Sequence, residues 1–255
     1  MQTEVVRNLV IGHDCGEPMG EQTNESKAPH LPDDLSYEDW ISFIFDHPVM
    51  DPQWWCHTPD SGLYQYWNEE ADPSGTLAYL TRLFTESAFL TPRFTRAQID
   101  QGLYYIVSSG CSSHMFVLAT QSLPWADRKR CILAIFDLFR DLIAPVYGND
   151  LSSGSNSKSN HNRPTHTCFM WWDIIPLPVN TPESSLIIDA VASVLDQILT
   201  LDSEACLESG MHGVSEFHFS NPKRFEEVGL NFLKRKDISY RLRSYAQDAA
   251  FGRVL

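Results

Sequence analysis

Apolar residues recur every three or four positions over most of this chain, which is the spacing of one face of an α-helix. The residues that form these stripes are Trp40, Ile41, Ile44 and Phe45; Leu77, Leu80 and Phe84; Ile99, Leu103, Ile106 and Val107; Ile132, Ile135, Phe136, Phe139, Leu142 and Ile143; Ile187, Val191, Val194, Ile198 and Leu201; and Phe225, Val228 and Phe232. Nowhere do apolar and polar residues alternate over a length typical of a strand. The pattern therefore predicts an all-α protein.

Residues that cap helices stand before several of these stripes. Ser36 precedes the first stripe. Asp39 comes three residues after Ser36, at the position of a capping-box partner. Thr95 precedes the third stripe, and Asp202 or Ser203 can cap a helix that begins near residue 203. These positions predict where the helices begin.

A long helix is predicted from Pro124 to about Ala144. Proline suits the first turn of a helix, where its missing N–H has no partner in any case, and Pro145 is expected to end the helix. Cys131 lies on the apolar side and is predicted to be a core residue. The charged residues predicted to face water are Arg128, Lys129, Arg140 and Asp141.

Four helices with short breaks are predicted at the C-terminal end, at about 183–200, 203–219, 222–236 and 238–252. Helices of this length that are joined by two or three residues lie antiparallel to their neighbours. In pairs they repeat every ~35 to 40 residues, as helical-repeat proteins do. The expected architecture is a set of antiparallel helical hairpins, arranged as an α-solenoid of the HEAT type or as an irregular helical bundle.

Polar segments divide this predicted architecture. Residues 1–33 are rich in glycine, proline and acidic side chains, and we expect an extended or partly disordered acidic arm. Residues 34–255 are expected to form a single helical domain, interrupted by a mobile polar loop at 149–164. After this loop the chain is dense in large side chains, which predicts a buried segment around Trp171 and Trp172.

The net charge of the chain is −14, from 33 acidic and 19 basic residues. Residues 1–72 hold fifteen of the acids against only Arg7 and Lys27, whereas residues 221–255 are basic. A field of this sign repels phosphate backbones and disfavours nucleic-acid binding. Such a field attracts a basic protein partner. The same charges also fit two other interpretations: an acidic surface that is only solvated, or an acidic N-terminal part that docks on the protein's own basic C-terminal helices.

The location of the protein is predicted from what the sequence lacks. No run of about eighteen apolar residues is present, so no membrane-spanning helix is expected. The first residues do not have the basic and then apolar pattern of a secretory signal. The six cysteines lie far apart and form no C-x-x-C pair, which predicts reduced thiols. We therefore expect a cytoplasmic protein.

The segment 205–218 holds the densest set of reactive side chains. His212 and Glu216 are four residues apart, so on a helix they share a face and, with His218, can supply ligands for zinc or iron. Residues elsewhere that could complete such a set are Asp173, His166 and His114. Because His218 points about 120° away on a regular helix, we predict no metal or other cofactor, and a metal-dependent hydrolase that uses His212 and Glu216 is kept as the alternative function.

Cys206 raises a second possibility, because a thiolate beside an imidazolium is reactive. Cys206 and His212 are six residues apart, however, and point about 120° apart on one helix. No nucleotide-binding or hydrolase-nucleophile motif is present, so the catalytic residues are unknown. The candidates for a binding or structural role are His212, Glu216, Cys206, Glu208, Asp173, Trp171 and Trp172.

Gly210 and Gly213 favour a structural interpretation of the same segment. On a helix they let a neighbouring element approach closely, although each glycine costs about 1 kcal/mol of helix propensity relative to alanine. In this interpretation His212 is an interior side chain that is hydrogen-bonded to a carboxylate such as Asp173.

Part of the chain resembles a known group of proteins. The segments that carry the resemblance are Ala97–Ile106, Cys168–Asp173, Ala205–Gly213 and Tyr245–Ala250. They resemble a family of uncharacterised bacterial proteins that are all-helical and HEAT-like, over residues 95–255. In that family the third segment looks like C-x-x-S-A-L-H-G-L-G-H, whereas this chain has Gly210 in place of alanine and Ser215 and Glu216 in place of Gly-His. The resemblance implies a helical fold and carries no established activity.

These observations lead to an expected function. We expect an acidic helical-repeat protein that binds another protein, and the partner is expected to be basic. An immunity or inhibitor protein that binds a basic toxin or enzyme is one form of this function.

Overall fold

Helices make up the regular secondary structure of this protein. The computed structural model describes residues 31, 35–57, 67–68, 70–149, 166–178 and 181–254. Within these ranges no strand occurs, which confirms the all-α prediction. Apart from residues 31 and 149, the predicted arm at 1–33 and the predicted loop at 149–164 lie outside the described residues.

The α-helices are α1 Tyr37–Phe45, α2 Pro73–Glu86, α3 Arg96–Val107, α4 Trp125–Leu138, α5 Ala144–Tyr147, α6 His166–Ile174, α7 Ser184–Ile198, α8 Glu204–Phe217, α9 Pro222–Phe232 and α10 Tyr240–Ala249. None of the helices in the described ranges is long and apolar enough to cross a membrane.

Predicted caps begin three of these helices. The Ser36 hydroxyl accepts a hydrogen bond from the backbone N–H of Asp39 at 3.2 Å. Thr95 forms a full capping box with Gln98 at the start of α3. The Ser203 hydroxyl accepts from the backbone N–H of Cys206 at 3.3 Å. Because a cap needs only groups within one helical turn, local sequence was enough to locate it.

The predicted end of the long helix at Pro145 is wrong. After α4 the chain makes a π-helical turn at Phe139–Ile143 and continues as α5 to Tyr147. The wider turn changes the backbone spacing, so that Pro145 falls in the first turn of α5, where proline is tolerated. The helix ends instead at Gly148, whose φ of 56° favours glycine.

Arg128 was predicted to face water, and this prediction is also wrong. Its side chain is 1% exposed. Its guanidinium donates to the carbonyl oxygens of Leu118 and Leu123 and lies 2.6 Å from the Glu183 carboxylate, next to α7. A buried arginine is tolerated where acceptors surround it, and these acceptors come from other parts of the chain.

The predicted buried segment after the loop is helix α6. Trp171 and Trp172 are buried in it, as predicted. Cys131 is buried, again as predicted, and the cysteines at 111, 131, 168 and 206 are free. Cys56 is disulfide-bonded, so the prediction that every cysteine is reduced is wrong for this residue.

Helix α8 lies at the centre of the C-terminal part of the fold. It contacts α6, α7, α9 and α10. All residues from Ala205 to Ser215 are buried, although Glu208, Ser209, His212 and Ser215 are polar. Polar side chains at the centre of a fold need hydrogen-bond partners, and the neighbours of α8 supply them.

Candidate functional site

Two glycines allow α8 to lie close to the adjacent helices. A Cβ atom added to Gly213 would lie 2.7 Å from Cγ of Trp172 and 2.8 Å from a methyl carbon of Leu195. At Gly210 the nearest atom, on Leu199, would be 3.0 Å away. The predicted close approach is therefore present, and it holds α6 against the segment of α8 that carries His212.

His212 is hydrogen-bonded at both ring nitrogens. Its Nε2 lies 2.7 Å from Oδ2 of Asp173 on α6, and its Nδ1 lies 2.7 Å from the hydroxyl oxygen of Tyr245 on α10. A carboxylate can only accept, so Nε2 donates to Asp173, whereas at Nδ1 either the ring or the Tyr245 hydroxyl can be the donor. Asp173 is the carboxylate that the structural interpretation of the sequence suggested.

Glu216 lies next to Asp173, on the side of these residues that is nearer the surface. Its carboxyl group lies near that of Asp173, whose side chain is 22% exposed. Burial, followed by the negative charge of Asp173, raises the pKa of Glu216, while nearby His212 acts in the opposite direction. A second negative charge nearby makes a carboxyl group hold its proton more readily. We call Asp173, His212, Glu216 and Tyr245 the histidine cluster.

The remaining side chains around the histidine cluster are aromatic and charged. The Phe169 ring lies over the imidazole of His212, with 4.3 Å between the ring centroids. Glu208 is buried, and one of its oxygens lies 3.9 Å from the guanidinium of Arg241 on α10. Burial, followed by the charges of Glu208 and Asp173, raises the pKa of Tyr245.

A carboxylate, an imidazole and a hydroxyl group occur here in the order found in a catalytic triad. A nucleophilic hydroxyl has to lose its proton to the imidazole, and the raised pKa of Tyr245 opposes this step. Asp173 and Glu216, by contrast, are partly exposed acceptors. The arrangement is therefore better suited to bind a positive charge than to form a covalent intermediate on Tyr245.

The histidine cluster does not fit a metal ion. Both ring nitrogens of His212 already have hydrogen-bond partners, so neither is free to bind a metal. His218 lies elsewhere, with its Nε2 3.2 Å from a carboxylate oxygen of Glu226 on α9. In the described ranges, no three histidine, cysteine or acidic side chains are grouped so that they could hold a metal.

The more distant ligands considered for such a site are separated in the fold. Of the two whose side chains the structure describes, Asp173 is bonded to His212. His114 is bonded to Trp40 and Ser112 in the N-terminal part of the molecule. The side chain of His166 lies outside the described part of the chain.

Cys206 does not face His212. Its sulfur donates to the carbonyl oxygen of Phe139 at 3.8 Å. Helix geometry had placed the two side chains on different faces of α8, and the fold gives each a different neighbour. A thiol–imidazole pair is therefore not formed.

The two candidate tryptophans have a packing role. Trp171 meets Phe139 edge to face at 5.9 Å between ring centroids, and Trp172 stacks on the same ring at 6.1 Å. Neither side chain has more than 1% of its surface exposed. They position α6, and through it Asp173, without offering a surface to a ligand.

Sequence reasoning did not identify Tyr245 or Phe169 as members of the site. Tyr245 is 33 residues from His212, and no periodic pattern relates two residues on helices that are not adjacent in the chain. Phe169 could have been found, because it precedes Asp173 by four residues and so shares its face of α6.

Comparison of the chain with protein-family models, curated proteins and solved structures gives no match. The resemblance to HEAT-like bacterial proteins therefore stays a prediction. The fold and the site define an all-helical protein with a buried histidine and two carboxyl groups that lead from it towards solvent. Its function has to be argued from that arrangement.

Proposed function

We propose that the protein functions by binding another protein, and that this partner presents a basic side chain to Asp173 and Glu216. The net charge of −14 favours encounter with a basic partner. The observation that carries the proposal is the contact between the two carboxyl groups at the partly exposed side of the histidine cluster.

A positive charge suits this position for electrostatic reasons. In the unbound protein, burial and the charge of Asp173 favour the protonated form of Glu216. A lysine or arginine side chain that approaches both carboxyl groups offsets the repulsion between their negative charges and pairs with both. The partly buried rings of Phe169 and Tyr245 lie beside His212 and can contact the apolar part of such a side chain.

The surroundings of the two carboxyl groups hold them in place. His212 donates to Asp173, and the hydroxyl of Ser209 donates to the carbonyl oxygen of Cys168 at 2.6 Å, which ties α8 to α6. The hydroxyl of Ser215 donates to the carbonyl oxygen of Val254, also at 2.6 Å. A site that is fixed before binding loses less conformational entropy when the partner arrives.

The helices of the C-terminal part contact both their neighbours in the chain and the next helix but one, since α8 contacts α7 and α9 as well as α6 and α10. Stacked hairpins of a HEAT-like solenoid and an irregular helical bundle both give such contacts. An inhibitor or immunity protein of a basic toxin or enzyme is the form of protein binding that we propose. Its cytoplasmic location and its lack of nucleic-acid binding remain predictions from the sequence.

A capture experiment with charge-matched variants tests the proposal. Tagged protein is incubated with an extract of its source cells, and retained proteins are identified by mass spectrometry. The site variant is Asp173→Asn/Glu216→Gln, and the control is Asp189→Asn/Asp196→Asn, which removes two exposed carboxylates from α7. Circular dichroism establishes that both variants are folded.

We expect a basic protein that wild type and the control retain, and that the site variant retains at least tenfold less, which corresponds to about 1.4 kcal/mol. Added salt should release it, because exposed charges are screened. Equal retention by the site variant and the control would contradict the proposal, and so would the absence of any retained basic protein.

A metal-dependent hydrolase that uses His212 and Glu216 is the alternative function, and the hydrogen bonds of the two side chains give it less support. Elemental analysis of protein purified without chelators tests it. A stoichiometric metal that is lost in His212→Ala would favour this alternative. Metal-free protein would remove it.

A further inference from the structure

Exposed apolar side chains gather around α9, at the C-terminal end of the fold. Six large apolar side chains are exposed in the described ranges, and three of them belong to this region: Phe219, Leu230 and Phe251. Phe219 is the most exposed of the three, at 73%. Single exposed apolar side chains are common on protein surfaces, whereas a group of them is typical of an interaction surface.

Contacts of His218 place two of these side chains near each other. The ring of Phe219 lies edge to face with that of His218, with 5.9 Å between the centroids. A Cβ atom added to Gly252 would lie 2.8 Å from Nδ1 of the same histidine. The backbone that follows Phe251 therefore passes against His218, beside Phe219.

Charged residues share a side of α9 with the third apolar residue, Leu230. Lys223, Glu227 and Leu230 are spaced by four and then three residues, so they lie on one side of the helix, and all three are exposed. Gly229 is turned towards the core, where a Cβ atom added to it would lie 2.7 Å from Cβ of Ala250. We call Phe219, Lys223, Glu227 and Leu230 the outer face of α9.

The two neighbouring acids of α9 differ in their surroundings. Glu226 is bonded to His218, with 3.2 Å between its carboxylate oxygen and Nε2 of the histidine. The side chain of Glu227 is 62% exposed and lies 3.6 Å from the guanidinium of Arg224. An exposed ion pair of this kind contributes little to stability, so Glu227 can turn to a cation of another molecule at small cost.

The order of residues on the outer face of α9 is complementary to itself. Along the chain the order is apolar, basic, acidic, apolar. In a second copy that lies antiparallel to the first, this order is reversed, so Phe219 lies opposite Leu230 of the second copy and Lys223 lies opposite its Glu227. A twofold axis repeats each contact, which gives two apolar contacts and two ion pairs.

The distribution of charge over the chain favours contact between two copies in this region. Residues 221–255 hold eight bases and four acids, whereas the rest of the chain holds 29 acids and 11 bases. Two copies that meet through their acidic parts repel each other. A contact through α9 keeps those parts away from the twofold axis.

We propose that the outer face of α9 is a self-association surface, on which a second copy of this chain packs its own outer face in antiparallel orientation about a twofold axis. Phe251, beside Phe219, extends the apolar area of this contact. No residue of the histidine cluster takes part, so the inference does not depend on the proposed function.

Sedimentation velocity of the full chain at increasing concentration tests the inference. We expect the mass to rise from that of one chain, 29.0 kDa, towards twice that value between micromolar and submillimolar concentration. Lys223→Glu and Glu227→Lys should each raise the dissociation constant at least about tenfold, because each places like charges opposite each other. Lys236→Glu changes an exposed charge outside this face and should leave the constant unchanged.

A double exchange tests the antiparallel orientation. Lys223→Glu/Glu227→Lys restores opposite charges across the twofold axis and should bring the dissociation constant to within about threefold of wild type. An equimolar mixture of the two single variants should associate more tightly than either variant alone, for the same reason.

The apolar contact is tested separately. Phe219→Ser should raise the dissociation constant at least about tenfold, whereas Tyr240→Ser, which alters an exposed ring at the start of α10, should not. Circular dichroism establishes that the variants are folded. A wild-type chain that stays monomeric at submillimolar concentration would overturn the inference, and so would a double exchange that fails to restore association.

Discussion

His114 and His212 are both buried histidines with a hydrogen bond at each ring nitrogen, and they differ in the charge of their partners. The indole N–H of Trp40 donates to Nε2 of His114 at 3.1 Å, and the Ser112 hydroxyl lies 3.0 Å from its Nδ1. His212 is bonded to the Asp173 carboxylate and to the Tyr245 hydroxyl. The two hydrogen-bond partners named for His114 are neutral, whereas one partner of His212 is a carboxylate.

This difference indicates a packing role for His114 and a role in binding for the group that contains His212. Around His114 lie the rings of Trp40, Trp67 and Tyr105, and burial among them lowers its pKa to about 3. The ring of His114 is therefore neutral at any ordinary pH and acts as a hydrogen-bonding aromatic side chain. Next to His212, the carboxyl groups of Asp173 and Glu216 reach the surface, where a partner can meet them.

The largest effect on the free energy of unfolding is expected when either histidine is replaced by alanine. His114→Ala leaves a cavity and an unpaired indole N–H from Trp40, and it should lower the free energy of unfolding by about 3–5 kcal/mol. His212→Ala should cost about 1–3 kcal/mol, because Asp173 and Tyr245 can turn to water. Urea unfolding of both variants measures the two costs. An equal or larger loss for His212→Ala would show that the two sites do not differ in this way.

The pH dependence of stability distinguishes the two regions further. The ordinary pKa of His114 is 6.5, and burial lowers it to about 3 in the folded protein. Between these values the unfolded chain binds more protons, so stability decreases as the pH falls, by about 1.4 kcal/mol per pH unit. Burial raises the pKa of Asp100 from 3.8 to about 7, so this carboxyl group makes the folded protein more stable as the pH falls through that range.

The two contributions oppose each other, and variants can separate them. His114→Gln should make stability rise towards acid between about pH 6 and pH 4.5, and Asp100→Asn should make it fall, each changing the slope by about 1.4 kcal/mol per pH unit. Unfolding curves at several pH values measure both slopes. His47, with a lowered pKa, and Glu216, with a raised one, are present in both variants and cancel in the comparison.

A smaller effect is expected from the glycines that seat the helix of His212. Gly213→Ala places a methyl group against the buried ring of Trp172 and should cost about 1–3 kcal/mol. Gly210→Ala is the control in the same helix, since its neighbours are aliphatic carbons of Leu199 and Ile198 at 3.0 Å or more and not an indole ring. Its gain in helix propensity, about 1 kcal/mol, offsets the tighter contact. Similar urea midpoints for the two variants would argue against a special role for Gly213.

The smallest effect is expected when one hydroxyl partner is removed. Tyr245→Phe should cost about 1 kcal/mol, because His212 keeps its bond to Asp173. Ser112→Ala should cost somewhat more, about 1–3 kcal/mol, since it removes a hydrogen bond to the fully buried ring of His114. Thermal unfolding measured at one pH compares the two. A larger loss of stability for Tyr245→Phe than for Ser112→Ala would contradict the expectation that the hydroxyl partner of His114 contributes more to stability than that of His212.

Local features of the fold were predictable from the sequence, and their physical basis explains why. The caps Ser36, Thr95 and Ser203 act on groups three residues away, so their effect is visible in a short window. Pro145 was misjudged because the π-helical turn before it depends on packing of the whole helix. Arg128 was misjudged because the groups that surround it, such as Glu183, come from distant segments.

The sequence by itself determined that the protein is helical, which faces of the helices are apolar, and that Gly210 and Gly213 allow a close neighbour. These properties follow from periodicity and from the size of single side chains. Only the tertiary structure decided that His212 is hydrogen-bonded to Asp173, 39 residues away, and to Tyr245, 33 residues away, and that the Cys206 sulfur contacts the carbonyl oxygen of Phe139. Such meetings depend on the angles and distances at which separate helices pack, and no pattern within one helix contains that information.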